Sequence, residues 1–193
     1  MITVAALCSC NDEEGYEEAY PDIVSEMANV VTNNEGKMVR MITDDETAYN
    51  ISNNLTGYDR NAVYRLVCGY VPSGKDAMLY QLQGVQILRD STDTGKQDPT
   101  PVTCAWKSGK YINLQLEPLT QGGRQYWGFV VERKEPGHIY ISLHHNQNND
   151  PASYTRTVYA SLPVNSMEGI EDGGQITLYV NTPTGLKEWN FQK

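Results

Sequence analysis

Tyr111-Ile112-Asn113-Leu114-Gln115-Leu116-Glu117 places an apolar side chain at every second position, the period of a strand with one face on a core. The same beat returns in Trp127/Phe129/Val131, Ile139/Ile141/Leu143, Val158/Ala160/Leu162 and Ile176/Leu178/Val180. Val102 to Trp106 in front and Leu186 to Phe191 behind bring the number of strands to seven. Turn signals separate them, among them Ser108-Gly109, Gln121-Gly122-Gly123, Glu135-Pro136-Gly137 and Thr182-Pro183-Thr184-Gly185. Seven short strands with one apolar face each predict a two-sheet sandwich of Ig-like size over residues 100–193.

Upstream, Ile23 to Val31 is a β-type run, Asn33-Asn34-Glu35-Gly36 a turn, and Lys37 to Thr43 alternates Met38, Arg40 and Ile42 against Val39 and Met41. Asp44-Asp45 leads into Thr47 to Ile51, and two longer strands, Ala62 to Val71 and Met78 to Leu88, are joined at Pro72-Ser73-Gly74-Lys75. Five strands over residues 22–89 are too few for a sandwich and suit a small closed OB-like barrel, whose closure removes exposed edges. Residues 90–99 are polar, contain Gly95 and Pro99, and read as a linker. The expected fold is all-β: an N-terminal five-stranded OB-like barrel followed by a C-terminal seven-stranded Ig-like β-sandwich.

Leu7-Cys8-Ser9-Cys10 follows an apolar run and precedes Asn11-Asp12-Glu13-Glu14. It resembles the lipobox at which bacteria cleave a signal peptide and acylate the new N-terminal cysteine, here Cys10. The acidic follower resembles the signal by which Bacteroidetes send lipoproteins to the cell surface. Residues 1–9 then read as a truncated signal peptide, with Met1 inside a longer leader, and residues 10–21 as an acidic tether that cannot bury apolar surface. The net charge is −9, five of it on Asp12, Glu13, Glu14, Glu17 and Glu18. Neither folded half then carries the positive excess that a phosphate backbone demands. Asp90-Ser91-Thr92 resembles the Asp-Ser/Thr-x motif that Bacteroidetes O-glycosylate, which makes Ser91 a candidate.

The quoted strand, Tyr126-Trp127-Gly128-Phe129-Val130-Val131 and Ile141-Ser142-Leu143-His144-His145-Asn146-Gln147, set behind a lipobox, an acidic tether and a small barrel, resemble the NigD-like lipoproteins of Bacteroidetes. The resemblance covers the whole mature chain and implies the architecture and an outer-membrane address, exposed at the cell surface or otherwise facing the periplasm. It carries over no catalytic or ligand residue.

Catalytic constellations are absent from the pattern. The three histidines, His138, His144 and His145, lack a Gly-x-Ser-x-Gly elbow. His144 and His145 are adjacent on a strand and point to opposite faces, and His138 lies roughly 20 Å of strand from His144. They read as surface or strand-end residues. Asp44-Asp45-Glu46 reads as a solvated turn, and Asn146 to Asp150 lacks the ligand alternation of a Ca²⁺ loop. No metal or cofactor is expected. Cys68 and Cys104 read as buried small hydrophobes rather than a bridge, although an exported protein permits one. Trp106, Trp127 and Trp189 read as core.

Tyrosine is the unusual component, with 13 copies. Tyr140, Tyr159 and Tyr179 each alternate against apolar neighbours, so all three are expected on outer sheet faces, where a sugar or peptide could stack. The expected function is a non-catalytic binding or accessory module for a protein or glycan, held to a membrane by its lipid. The alternatives are a hydrolase with a site at the interdomain crevice and a structural subunit pairing through a sheet edge.

Overall fold

Asn33 starts the first hairpin: its side-chain oxygen accepts hydrogen bonds from the backbone N–H of Glu35 at 2.9 Å and of Lys37 at 3.0 Å. Gly36 completes the turn at φ +75°, where any Cβ would fall on the Tyr58 carbonyl. The computed structural model describes residues 22–91 and 97–193. The lipobox with Cys10, the tether and the middle of the 90–99 segment lie outside the described residues.

The hairpin joins β1 (Val24–Thr32) to β2 (Met38–Thr43), followed by β3 (Ala48–Ile51), β4 (Val63–Ser73) and β5 (Asp76–Ile87). These five run in the order β3-β2-β1-β4-β5, and a parallel pairing of Asn50 with Asp76 and Ile51 with Ala77 closes the ring. Ala28, Val30, Met38, Met41, Leu66, Cys68, Tyr70 and Leu79 fill its interior. The barrel expected from the alternation is present.

Strand β5 is long because it serves two structures. Its first part closes the barrel, and Val85 to Ile87 pair in parallel with Tyr159 to Ser161. The sheet therefore continues past the barrel into β12 (Val158–Pro163), β7 (Tyr111–Leu116) and β6 (Val102–Ser108). Facing these is a second sheet in the order β14-β13-β10-β9, built from β14 (Gly185–Gln192), β13 (Gln175–Thr182), β10 (His138–Asn146) and β9 (Tyr126–Glu135). Ile112, Leu114, Leu116, Ile139, Ile141, Leu143, Leu162, Ile176 and Leu178 form the core between them. All are residues of the apolar alternation. Two-residue strands β8 (Leu119–Thr120) and β11 (Tyr154–Thr155) add a ribbon too short for any periodicity to reveal. The ends of the 90–99 segment are themselves paired, Asp90 with Phe129 and Gln97 with His145.

Several side chains depart from their expected environments. His144 and His145 are 4% and 2% exposed rather than on the surface, because β10 is an interior strand and its end is covered on both faces. Cys68 is buried as expected, but Cys104 is exposed on β6, at the sheet's edge; both are free. Trp127 and Trp189 are partly buried against the sandwich core, whereas Trp106 belongs to neither core and lines a cavity between barrel and sandwich.

Candidate functional site

The alternation of β1 and β4 fails at Met27 and Arg65, which are buried on the barrel's outer wall. The wall docks there on the outer face of the sandwich. Arg65 stacks its guanidinium 3.9 Å over the Tyr111 ring and donates to Asp44 Oδ1 and Oδ2 at 2.5 and 2.7 Å. It also donates to Ser161 Oγ and to Asn113 Oδ1, both at 3.3 Å. Ser108 donates to Asp44, Ser161 donates to Asn113 Oδ1 at 2.6 Å, and Asn113 donates to Ser108 Oγ at 3.0 Å. A buried cation thus joins two barrel elements to three sandwich strands through four of its five N–H donors. Asp44 is no solvated turn former: its side chain is 8% exposed because it supplies this counter-charge.

Gly109, in the β6–β7 turn, makes that approach possible. It sits at φ +49°, and a Cβ there would fall on the Asp44 carbonyl oxygen.

The three candidate tyrosines part company. Tyr140 and Tyr179 lie side by side on the outer face of the β10–β13 pair, ring centroids 6.5 Å apart and 10° from parallel. Arg133 already stands 4.0 Å over the Tyr140 ring and His138 stacks on it at 4.0 Å, while the Tyr140 hydroxyl donates to Glu135 at 3.3 Å. The protein's own groups occupy that stack. Tyr159 sits on β12 at the seam with the barrel, half-buried, and lines cavities on both sides of it.

One cavity, of about 490 Å³, is bounded by Met27, Asp44, Trp106 and Tyr159. The other, of about 460 Å³, lies between β5, the β8–β9 connection and β12; its walls include Gln83, Gln86, Trp127, Arg124, Arg156 and Tyr159. Both fall within the roughly 300–1,000 Å³ span of small-molecule sites.

The wall of the second cavity is held by a relay of buried polar groups. Asp150 accepts from the Thr120 hydroxyl, from the N–H of Gln121 and Gly123 at 3.0 Å each, and from Gln125 Nε2 at 2.9 Å. These donors, the Thr120 hydroxyl first, hold its carboxyl below the ordinary Asp value. Gln125 turns its carbonyl oxygen to His145 Nε2 at 3.1 Å, and His145 Nδ1 lies 2.6 Å from the Thr100 hydroxyl and 3.2 Å from the Asp98 carbonyl. Burial lowers the His145 pKa and keeps the ring neutral, and the ring stacks on Trp127 at 3.9 Å and 10°. Trp127 is fixed in place by this chain of contacts.

Among the described residues no group of three or more His, Cys, Asp or Glu could hold a metal ion. Ser91 is half-buried, with its N–H bonded to the Phe129 carbonyl at 2.8 Å, and Thr92 of its motif lies outside the described residues.

The model of the NigD-like C-terminal beta sandwich domain matches residues 84–192. The chain belongs to the NigD-like family. The match begins inside β5 and takes in only its last four residues, the end that pairs with β12. Among solved structures, a NigD-like immunity protein from Bacteroides caccae aligns at TM-score 0.67 and 23% identity, over 90% of this chain and 98% of that one. A protein described as toxin-related, from Parabacteroides distasonis, gives TM-score 0.72 at 14% identity over 89% and 93%. A candidate lipoprotein of Bacteroides fragilis gives 0.61 at 10% identity over 89% and 97%. At these identities the likeness shows that the NigD-like chain shares their fold. No curated protein matches it.

Sequence reasoning missed Arg65, Asp44, Trp127, Arg124 and Arg156. The first two look like an outward strand position and a turn, and the others border a cavity assembled from four separate segments.

Proposed function

We propose that this NigD-like protein is an exported lipoprotein, anchored through acylated Cys10 in the outer membrane and exposed at the cell surface, that binds a ligand at the seam between barrel and sandwich without chemically changing it. The cavity walled by Trp127 and Tyr159 carries the reading. It offers aromatic rings, amides and guanidinium groups, held by a pre-organised polar relay, and among its described lining residues no nucleophile–base pair. The NigD-like family is not a known enzyme family. The lipobox at Cys10 and the relative described as a candidate lipoprotein support the address. The relative described as an immunity protein favours a second reading of the same kind, in which the bound ligand is a protein toxin.

Two experiments test the two halves. Metabolic labelling with a clickable palmitate analogue, wild type against Cys10→Ala, with surface proteolysis of the same cells, tests the anchor: label lost in the variant and cleavage of the wild type support it. NMR of the full mature chain against uronate, sulfated and neutral disaccharides and acidic and basic tetrapeptides tests the cavity. Shifts confined to Trp127, Tyr159 and their neighbours support it; shifts elsewhere or none oppose it. The export address also admits glycosylation at Ser91, and an intact mass without added hexose on protein from the native host would dispose of that.

A further inference from the structure

The seam cavity has a charge opposite to that of the protein around it. Without the five acids of the tether the chain still carries a net −4, yet two of this cavity's lining residues, Arg124 and Arg156, are cations and none of the described lining residues is an acid. Both arginines are exposed, and among the described residues neither has an ion-pair partner. The Arg124 guanidinium stands 5.1 Å from the centroid of the exposed Tyr126 ring. Asp150, behind the lining residues Thr120, Gly123 and Gln125, is buried and its carboxylate is taken up by their donors and by the Gln121 N–H.

We infer that this cavity is a binding site for an anionic saccharide, one whose sugar carries a carboxylate or a sulfate; the inference rests on the seam cavity being a binding site. Each part of the lining matches a part of such a ligand. Trp127, one face of whose ring is taken by His145, and Tyr159 both line the cavity and offer aromatic carbon to the C–H side of a pyranose. The run Gln83 to Gln86 borders the cavity, and an amide side chain there offers both a donor and an acceptor, the paired chemistry that sugar hydroxyls present. The two guanidinium groups meet the anion, with planar fork geometry suited to a carboxylate or sulfate.

Other anions fit less well. On the β5–β12 side of the cavity no edge is open to strand addition by a peptide, since Val85 pairs with Tyr159 and Gln86 with Ala160. A nucleic acid needs a run of phosphate contacts, and beyond two arginines the surface is net negative.

Isothermal titration of the full mature chain in low salt tests this, with a glucuronate-containing disaccharide, a sulfated disaccharide, an uncharged disaccharide of N-acetylglucosamine and a tetraglutamate peptide as probes. One or both anionic sugars should bind at least about tenfold more tightly than the neutral one. Arg124→Ala and Arg156→Ala, exposed positions that leave the fold alone, should each remove about tenfold of that affinity, and Arg→Lys less. Equal binding of the neutral sugar, unaffected by the arginine variants, would overturn the inference and leave the binding site standing. Arginine-dependent binding of tetraglutamate without any sugar would overturn the saccharide class. No heat with any probe, and no shift at Trp127 or Tyr159, would remove the site and the inference together.

Discussion

Arg65 on the barrel wall and Asp44 in the β2–β3 turn form a two-pronged ion pair whose side chains are 2% and 8% exposed. The pair stands where barrel, sandwich and one of the two seam cavities meet, and its bonds to Ser108, Asn113 and Ser161 make barrel and sandwich one unit. A cavity between two loosely hinged modules would have to be assembled on binding. This one is held in advance.

Breaking that pair from one side should be costly. Asp44→Leu leaves the guanidinium buried without a counter-charge and should lower stability by about 3–5 kcal/mol, roughly 10 °C in Tm. Asp44→Leu combined with Arg65→Met removes both charges and should recover most of the loss. Thermal unfolding of the four proteins in a double-mutant cycle checks this; a double variant as unstable as the single one would show that packing rather than charge holds the seam.

Gly109→Ala should cost about 1–3 kcal/mol, more than Gly74→Ala, which also has positive φ but nothing within 4 Å of its Cβ. Both substitutions share the backbone penalty. The difference in urea midpoints isolates the approach of Asp44 to the β6–β7 turn.

The two thiols should react in different states. Burial, with the Glu26 charge adding to it, pushes the Cys68 thiol up to about 12, whereas Cys104 is exposed. In a soluble form beginning at Asn11, an aromatic disulfide reagent at pH 8 should titrate Cys104 within minutes and Cys68 only on unfolding. Two fast thiols would mean that the barrel opens.

Acid should loosen the cavity wall first. The folded pKa values of His145 and Asp150 lie below their ordinary 6.5 and 3.8. The unfolded chain therefore takes up protons first, so the stability they supply is complete above those values and is lost as pH falls towards the folded ones. The protection of the Gln121 and Gly123 amides against hydrogen exchange should fall as pH drops below 6.5 and again below 3.8, ahead of the sandwich core. Asp150→Asn should abolish the second step.

The alternation of Ile112/Leu114/Leu116 and its counterparts made the sandwich legible because a period of two survives wherever one face is buried. Turn chemistry at Asn33 to Gly36 placed the first hairpin for an equally local reason. What stayed hidden is long-range. Nothing near Arg65 distinguishes an exposed strand arginine from one under a second domain, and Asp44 resembles any turn acid until Ser108, 64 residues away, donates to it. Tyr159 was picked out together with Tyr140 and Tyr179 on the same alternation. Only the parallel pairing of β12 with β5 separates it from them, and parallel pairings leave no short-range signal. His144 and His145 were misplaced for the related reason that covering of both faces at one end of β10 is a property of the assembled sheets.

The most direct test of the account compares Tyr159→Ala with Tyr140→Ala by NMR titration against the same saccharide and peptide panel. The account predicts that ligand-induced shifts at Trp127 vanish in Tyr159→Ala and persist in Tyr140→Ala. Shifts that survive in Tyr159→Ala and disappear in Tyr140→Ala would place binding on the outer tyrosine face and contradict it.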